Sequence, residues 1–179
     1  MGGINTSKIK LNKTLSVIVQ MFINNNIQNW FISYGTLLGI VRENSCIDND
    51  DDIDIMCDIN CYNKIKELLQ NNGFTFWNLD DLEPLLGDTR NIIKTLETPD
   101  LASIDFYMTR IDNDSNYNDI WNRVIWSNCC LNGKLIEYNW NGQILYLPNN
   151  YETKLLNRYG KDWKIPQQSK GPHPPKHII

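Results

Sequence analysis

Asp50-Asp51-Asp52-Ile53-Asp54-Ile55, continued by Met56 and Cys57, passes from an acidic run into alternating acidic and apolar residues. Period-two alternation is the pattern of a strand with one packed face and one open face. It predicts a strand over Asp52 to Cys57, with Ile53 and Ile55 inward and Asp52 and Asp54 projecting together on the other side. Asp50 shares that face if the strand begins early. Ser103-Ile104-Asp105-Phe106-Tyr107 has the same character, with Asp105 emerging between two inward apolar residues. If the two strands are neighbours, three carboxylates converge on one sheet surface. Like charges that close raise one another's pKa. Mg²⁺ favours carboxylate, water and phosphate oxygens and would relieve the repulsion. The expected cofactor is therefore Mg²⁺ or Mn²⁺, on Asp52, Asp54 and Asp105, which are also the catalytic set.

Upstream, Trp30 to Ser33 reads as a short buried strand closed by Tyr34, Gly35 and Thr36. Thr36 is expected to cap a short helix through Leu37, Leu38, Ile40 and Val41. A glycine at a strand-to-helix turn lets a phosphate approach the backbone, and the helix start offers N–H donors. Gly35 and Thr36 are thus candidate donor-phosphate ligands, and Arg42 could add charge-assisted bonds to the same group. The order of these parts, more than any one of them, suits metal-dependent phosphoryl transfer.

Working outward, residues 7–26 carry a helical apolar period. Tyr62 to Gln70 reads as an amphipathic helix stopped by Asn71, Asn72 and Gly73. Phe74 to Trp77 looks like a strand and 78–91 like a loop. Ile92 to Leu96 and Ala102 to Met108 form a candidate hairpin about Pro99 and Asp100. Residues 109–145 read as irregular, rich in Asn and Trp. Tyr151 to Tyr159 reads as a helix with Gly160 past its end, and a polar, Pro-rich tail runs from Gln167. There is no internal repeat and no regular strand–helix alternation, so the expectation is a single α+β domain over 1–179.

At 179 residues and net charge −4, with Lys and Arg dispersed, the chain does not suit a nucleic-acid partner. Five cysteines, no apolar leader and no membrane-spanning run suggest a soluble, cytoplasmic protein with packed free thiols. Trp121, Trp126 and Trp140 fit core packing better than a sugar platform.

Tyr34-Gly-Thr-Leu-Leu-Gly-Ile-Val-Arg42 followed by Asp50-Asp-Asp-Ile-Asp54 resembles the LicD family, which includes bacterial phosphocholine transferases, fukutin and fukutin-related protein. Ser103 to Tyr107 resembles the family's later Asp strand. Pro148, Tyr151, Glu152, Leu155 and the Tyr159-Gly160 to Trp163 segment resemble its C-terminal part. The resemblance implies a nucleotidyltransferase-like mixed β-sheet flanked by helices. It also implies transfer of a phospho-alcohol, such as phosphocholine or phosphoribitol, from a CDP-activated alcohol donor to a glycan or glycolipid acceptor, with CMP released. By carry-over, Asp52 and Asp54 bind metal, Asp105 completes the set, Asp50 is a further ligand, and Gly35 and Thr36 hold donor phosphates. Two other readings remain: nucleotidyl transfer from an NTP with release of pyrophosphate, and a non-catalytic glycan- or partner-binding module. The sequence departs from the family pattern at Glu43, where a basic residue often follows the Arg, and at Asp48 and Asn49, which replace an aromatic and a proline.

Overall fold

The computed structural model describes residues 6–78, 89–166 and 177–179. Its centre is a mixed sheet. Strand β1 (Trp30–Ile32) pairs antiparallel with β2 (Asp52–Asp58), which pairs parallel with β4 (Ser103–Ile111). β3 (Ile92–Lys94) and β5 (Tyr117–Asp119) both run antiparallel to β4, against different parts of it. β6 (Val124–Trp126) pairs with β5, and β7 (Ile136–Trp140) with β8 (Gln143–Leu147) forms a separate hairpin.

Helix α1 (Lys8–Asn24) begins after Ser7, whose side chain accepts from the Lys10 N–H. Its fully buried Leu11, Leu15, Ile18, Val19 and Phe22 follow the helical period. Ile9 and Ile23, which also fit that period by sequence, are exposed. Phe22 meets Phe106 at 5.8 Å and Trp30 at 5.4 Å between ring centroids, and Trp30 meets Tyr146 of β8 at 5.2 Å. The apolar side of the sheet, with Ile53, Ile55, Ile104 and Phe106, is therefore closed by α1 and the β7–β8 hairpin. The opposite side carries the acidic residues, because strand neighbours alternate faces.

Helix α2 (Tyr34–Glu43) follows β1 directly. It starts three residues earlier than expected, so Ser33 occupies the cap position, without a side-chain capping bond. Thr36 is not the cap; its hydroxyl is used by β2. Asn44, at φ 53°, ends α2, and its carbonyl and side chain accept from Trp140 Nε1 (3.0 Å) and Tyr138 Oη (3.2 Å). Gly39 is needed where the chain folds back: a Cβ there would lie 2.6 Å from Ser45 O and 2.9 Å from Ile47 N. α3 (Tyr62–Asn71) and α4 (Tyr151–Tyr159) match the expected helices. Gly160, at φ 87°, follows α4 in a conformation that favours glycine.

The expected hairpin of β3 and β4 is present, but Phe74 to Trp77 contributes only a single bridge, Phe76 to Thr95. The segment 109–145, read as irregular, contains the end of β4, all of β5 to β7 and the start of β8. The Pro-rich stretch 167–176 lies outside the described residues. All five cysteines are free thiols, and Trp126 and Trp140 are buried in the core. Among the described residues no helix is long and apolar enough to cross a membrane.

Candidate active site

The parallel register of β2 and β4 pairs Asp52 with Ser103 and Asp54 with Asp105, and that of β3 adds Lys94 beside Asp105. Partners in register point to the same side of a sheet, so Asp54, Asp105 and Lys94 form a row across three strands. Asp52 and Tyr107 lie one pleat to either side.

Asp54 is held from every direction. Its Oδ2 accepts the Gly35 N–H at 2.9 Å and its Oδ1 accepts from Tyr107 Oη at 3.1 Å. Its backbone N–H donates to Thr36 Oγ1 at 2.9 Å, and its backbone carbonyl accepts the Ser33 N–H at 3.0 Å. The turn from β1 into α2 is thus the cradle of the central carboxylate. Gly35 is indispensable there, since a Cβ would stand 2.7 Å from Asp50 Oδ2 and 3.3 Å from Asp54 Oδ2.

The cluster is electrostatically loaded. Burial, followed by the charges of Asp105, Asp51 and Asp50, raises Asp52 to about 8. Burial raises Asp50 to about 6. Asp54 is pushed well above the usual carboxylate range by burial and then by Asp52, Asp50 and Asp105. Burial also raises Asp105, with Lys94 opposing the shift. Lys94 Nζ forms an ion pair with Asp105 Oδ2, to which Tyr107 Oη stands at 3.4 Å. Lys94 also lies over the Trp121 ring, 5.9 Å from its centroid.

A cleft of about 1050 Å³ opens over this surface. Asp50, Asp52, Asp54, Gly35 and Arg42 line it, with Arg158, Tyr159 and Trp163 on the α4 side. Thr36 and Asp105 are not in its lining. Thr36 is 2 % exposed, and its hydroxyl accepts the Asp54 N–H of β2. Arg42 is paired through Nε and Nη2 with Glu43 Oε1, the residue at which the sequence departs from the family pattern.

Two further groups were not legible in the sequence. Arg158 packs over the Tyr34 ring at 4.9 Å and hydrogen-bonds Tyr159, while its buried Nε has no partner. Its only signal was a basic residue in the last turn of a helix. Asp119, fully buried, accepts from Tyr34 Oη at 2.5 Å and from Asn122 Nδ2 at 2.9 Å. That bond and ring contacts to Tyr107 (5.0 Å) and Trp126 (5.3 Å) hold Tyr34 at φ 40°, a conformation rare for a bulky residue.

A mixed sheet whose acidic strands meet beneath a strand-to-helix glycine turn defines a protein of the nucleotidyltransferase fold. Two solved structures share it. The lincosamide antibiotic adenylyltransferase LnuA, bound to lincomycin, has TM-score 0.58 and 14 % identity, over 88 % of this chain and 89 % of its own. The antibiotic-resistance factor ANT(2″)-Ia has TM-score 0.55 and 12 % identity, over 89 % and 75 %. No curated protein sequence matches significantly. The sequence matches the family described as LicD/FKTN/FKRP, nucleotidyltransferase domain, over residues 26–150, and the chain belongs to that family. It is accordingly a transferase by class.

The donor set fits a hard divalent cation. Mg²⁺ is commonly held by one or two carboxylates together with substrate phosphates and water. Among the described residues no three acidic, His or Cys side chains close into a ready coordination shell. Asp52 and Asp54, both lining the cleft and both raised by burial and then by neighbouring carboxylates, are the pair that a cation would relieve.

Proposed function

We propose that this protein transfers a phospho-alcohol, such as phosphocholine or phosphoribitol, from a CDP-activated alcohol to a hydroxyl of a glycan or glycolipid, releasing CMP. The observation that carries the reading is the placement of Asp52 and Asp54 on the floor of a roomy cleft, directly beside the Gly35 turn. These two residues, with Asp50 as a further ligand, would hold Mg²⁺ or Mn²⁺, which would supply charge neutralisation at the donor diphosphate. Phosphoryl transfer depends chiefly on positioning and electrostatics. The chain's own parts are suited to that task. Gly35 leaves room for a phosphate to approach the backbone. Arg158 and the Glu43-paired Arg42 bring guanidinium groups to the same cleft. Tyr159 and Trp163 put aromatic side chains into the lining, a kind of surface suited to a base or sugar. Asp105, bonded to Lys94 and outside the cleft lining, stands next to Asp54 in the same row. Free thiols throughout accord with a reducing, cytoplasmic setting.

The test is a panel of CDP-alcohols and NTPs incubated with candidate sugars and Mg²⁺ or Mn²⁺, scored for CMP and for pyrophosphate. CMP formed from a CDP-alcohol, together with a phosphorylated sugar product, is the expected result. Pyrophosphate from an NTP would replace the proposal with nucleotidyl transfer. Neither product, with sugar binding retained, would make the protein a binding module.

A further inference from the structure

Lys94 and Asp105 have a place in the site that the reading above leaves open. Three observations bear on it. Lys94, Asp105 and Asp54 stand in register across β3, β4 and β2, so the ammonium lies in the same row as the carboxylates. The Lys94 ammonium is bonded to Asp105 Oδ2, on a carboxylate whose side chain is only 7 % exposed. Asp105 is absent from the cleft lining, whereas Asp52 and Asp54 are part of it.

We infer that Lys94 is a built-in cation standing where a second metal ion would otherwise be needed, so that the site takes a single divalent ion, on Asp52 and Asp54. The inference rests on the metal-dependent reading above and refines it. A second ion would have to share Asp105 with an ammonium already on it, and two cations on one buried carboxylate repel. The lysine charge also costs less to retain than an ion captured from water, because it is tethered to the strand and steadied by the Trp121 ring. Asp105 is then a positioning residue: it orients Lys94 and, through the Tyr107 hydroxyl that both carboxylates share, it helps to fix Asp54. Under this inference Asp105 takes that role in place of the metal-ligand role expected from the sequence.

Counting bound ions tests the inference without reference to turnover. Mn²⁺ alone is titrated into the full chain, and bound ions per chain are read at saturation by electron paramagnetic resonance. Wild type should hold one, Lys94→Arg one, and Lys94→Ala two, as the vacated position beside Asp105 is taken by a metal. Asp105→Asn should still hold one ion with affinity within a few fold of wild type. Two ions on wild type, one on Lys94→Ala that melts as wild type does, or loss of the ion in Asp105→Asn would each overturn it. No ion on wild type would overturn both this inference and the metal-dependent reading. One ion with no transfer from any CDP-alcohol would overturn only the proposed function.

Discussion

Asp54 shows how much one residue can do here. It is the register partner of Asp105, the acceptor of the Gly35 N–H and of the Tyr107 hydroxyl, and part of the cleft floor. Replacing it with Asn keeps the shape and removes a charge that the protein holds at a cost. Transfer by Asp54→Asn should fall by roughly 10²-fold or more, the scale of losing one electrostatic contact to the transition state. The metal-free variant should melt higher than wild type at pH 8. A variant of unchanged rate would remove Asp54 from the chemistry. Gly35→Ala is the complementary change, because it adds one methyl and alters no charge. With its Cβ 2.7 Å from Asp50 Oδ2, the Asp50 and Asp54 carboxylates must shift. Mn²⁺ affinity should drop about 10- to 100-fold, as when the partners of metal ligands are disturbed. Calorimetric titration reads this directly, and an unchanged affinity would show that Asp50 and Gly35 lie outside the ion's surroundings.

At the scale of elements, the decisive unit is β1, the turn at Ser33 to Thr36, and β2. The turn is stapled to β2 through Thr36 and Gly35, and to β5 through the Tyr34–Asp119 bond. Tyr34→Phe leaves the buried Asp119 carboxylate short of a donor, which costs on the order of 1–3 kcal/mol. Urea denaturation should show that loss, and Tyr34→Phe/Asp119→Asn should recover part of it if the two groups act as a pair. Much of this unit was legible in the sequence. Alternation at Asp52 to Ile55 and around Asp105 fixes which side chains share a face, whatever the register. The register itself was not legible, so the pairing of Lys94 with Asp105 could not be foreseen. Nor could β5 and β6. They are three residues each, too short to display a period, and the turns around them use Ser115, Arg123 and Asn128 at positive φ in place of glycine. Asp119 was hidden for the same reason: nothing local marks it as buried. Thr36 was misread because a threonine near a helix start has two uses, capping and tertiary bonding, and only the fold reveals which one is taken.

For the whole molecule, the acidic face sets how stability responds to pH. Asp50 is raised to about 6 and Asp52 to about 8, and Asp54 and Asp105 shift in the same direction, against an ordinary value of 3.8. Between the unfolded and folded values the folded chain binds more protons, so stability falls as pH rises. The contribution is complete below about pH 4 and is lost as the pH climbs through 6 and 8. Metal-free protein should therefore melt at progressively lower temperature from pH 5 to pH 8. Each kcal/mol lost should lower Tm by about 2–4 °C in a chain of this size. Added Mg²⁺ should recover more of the melting temperature at pH 8 than at pH 5, because a cation binds the ionised carboxylates. Thermal melts at the two pH values, with and without Mg²⁺, read both signs. A melting temperature that rises with pH in the absence of metal would contradict the repulsion assigned to the cluster.

The account stands on one cation seated between Asp52 and Asp54 in reach of a donor diphosphate. Crystals grown with Mn²⁺ and CDP, measured for anomalous scattering, test it most directly. A single anomalous peak within coordination distance of both carboxylates and of the CDP phosphates is the predicted result. A peak elsewhere, or CDP bound in the cleft with no metal at these two residues, would contradict it.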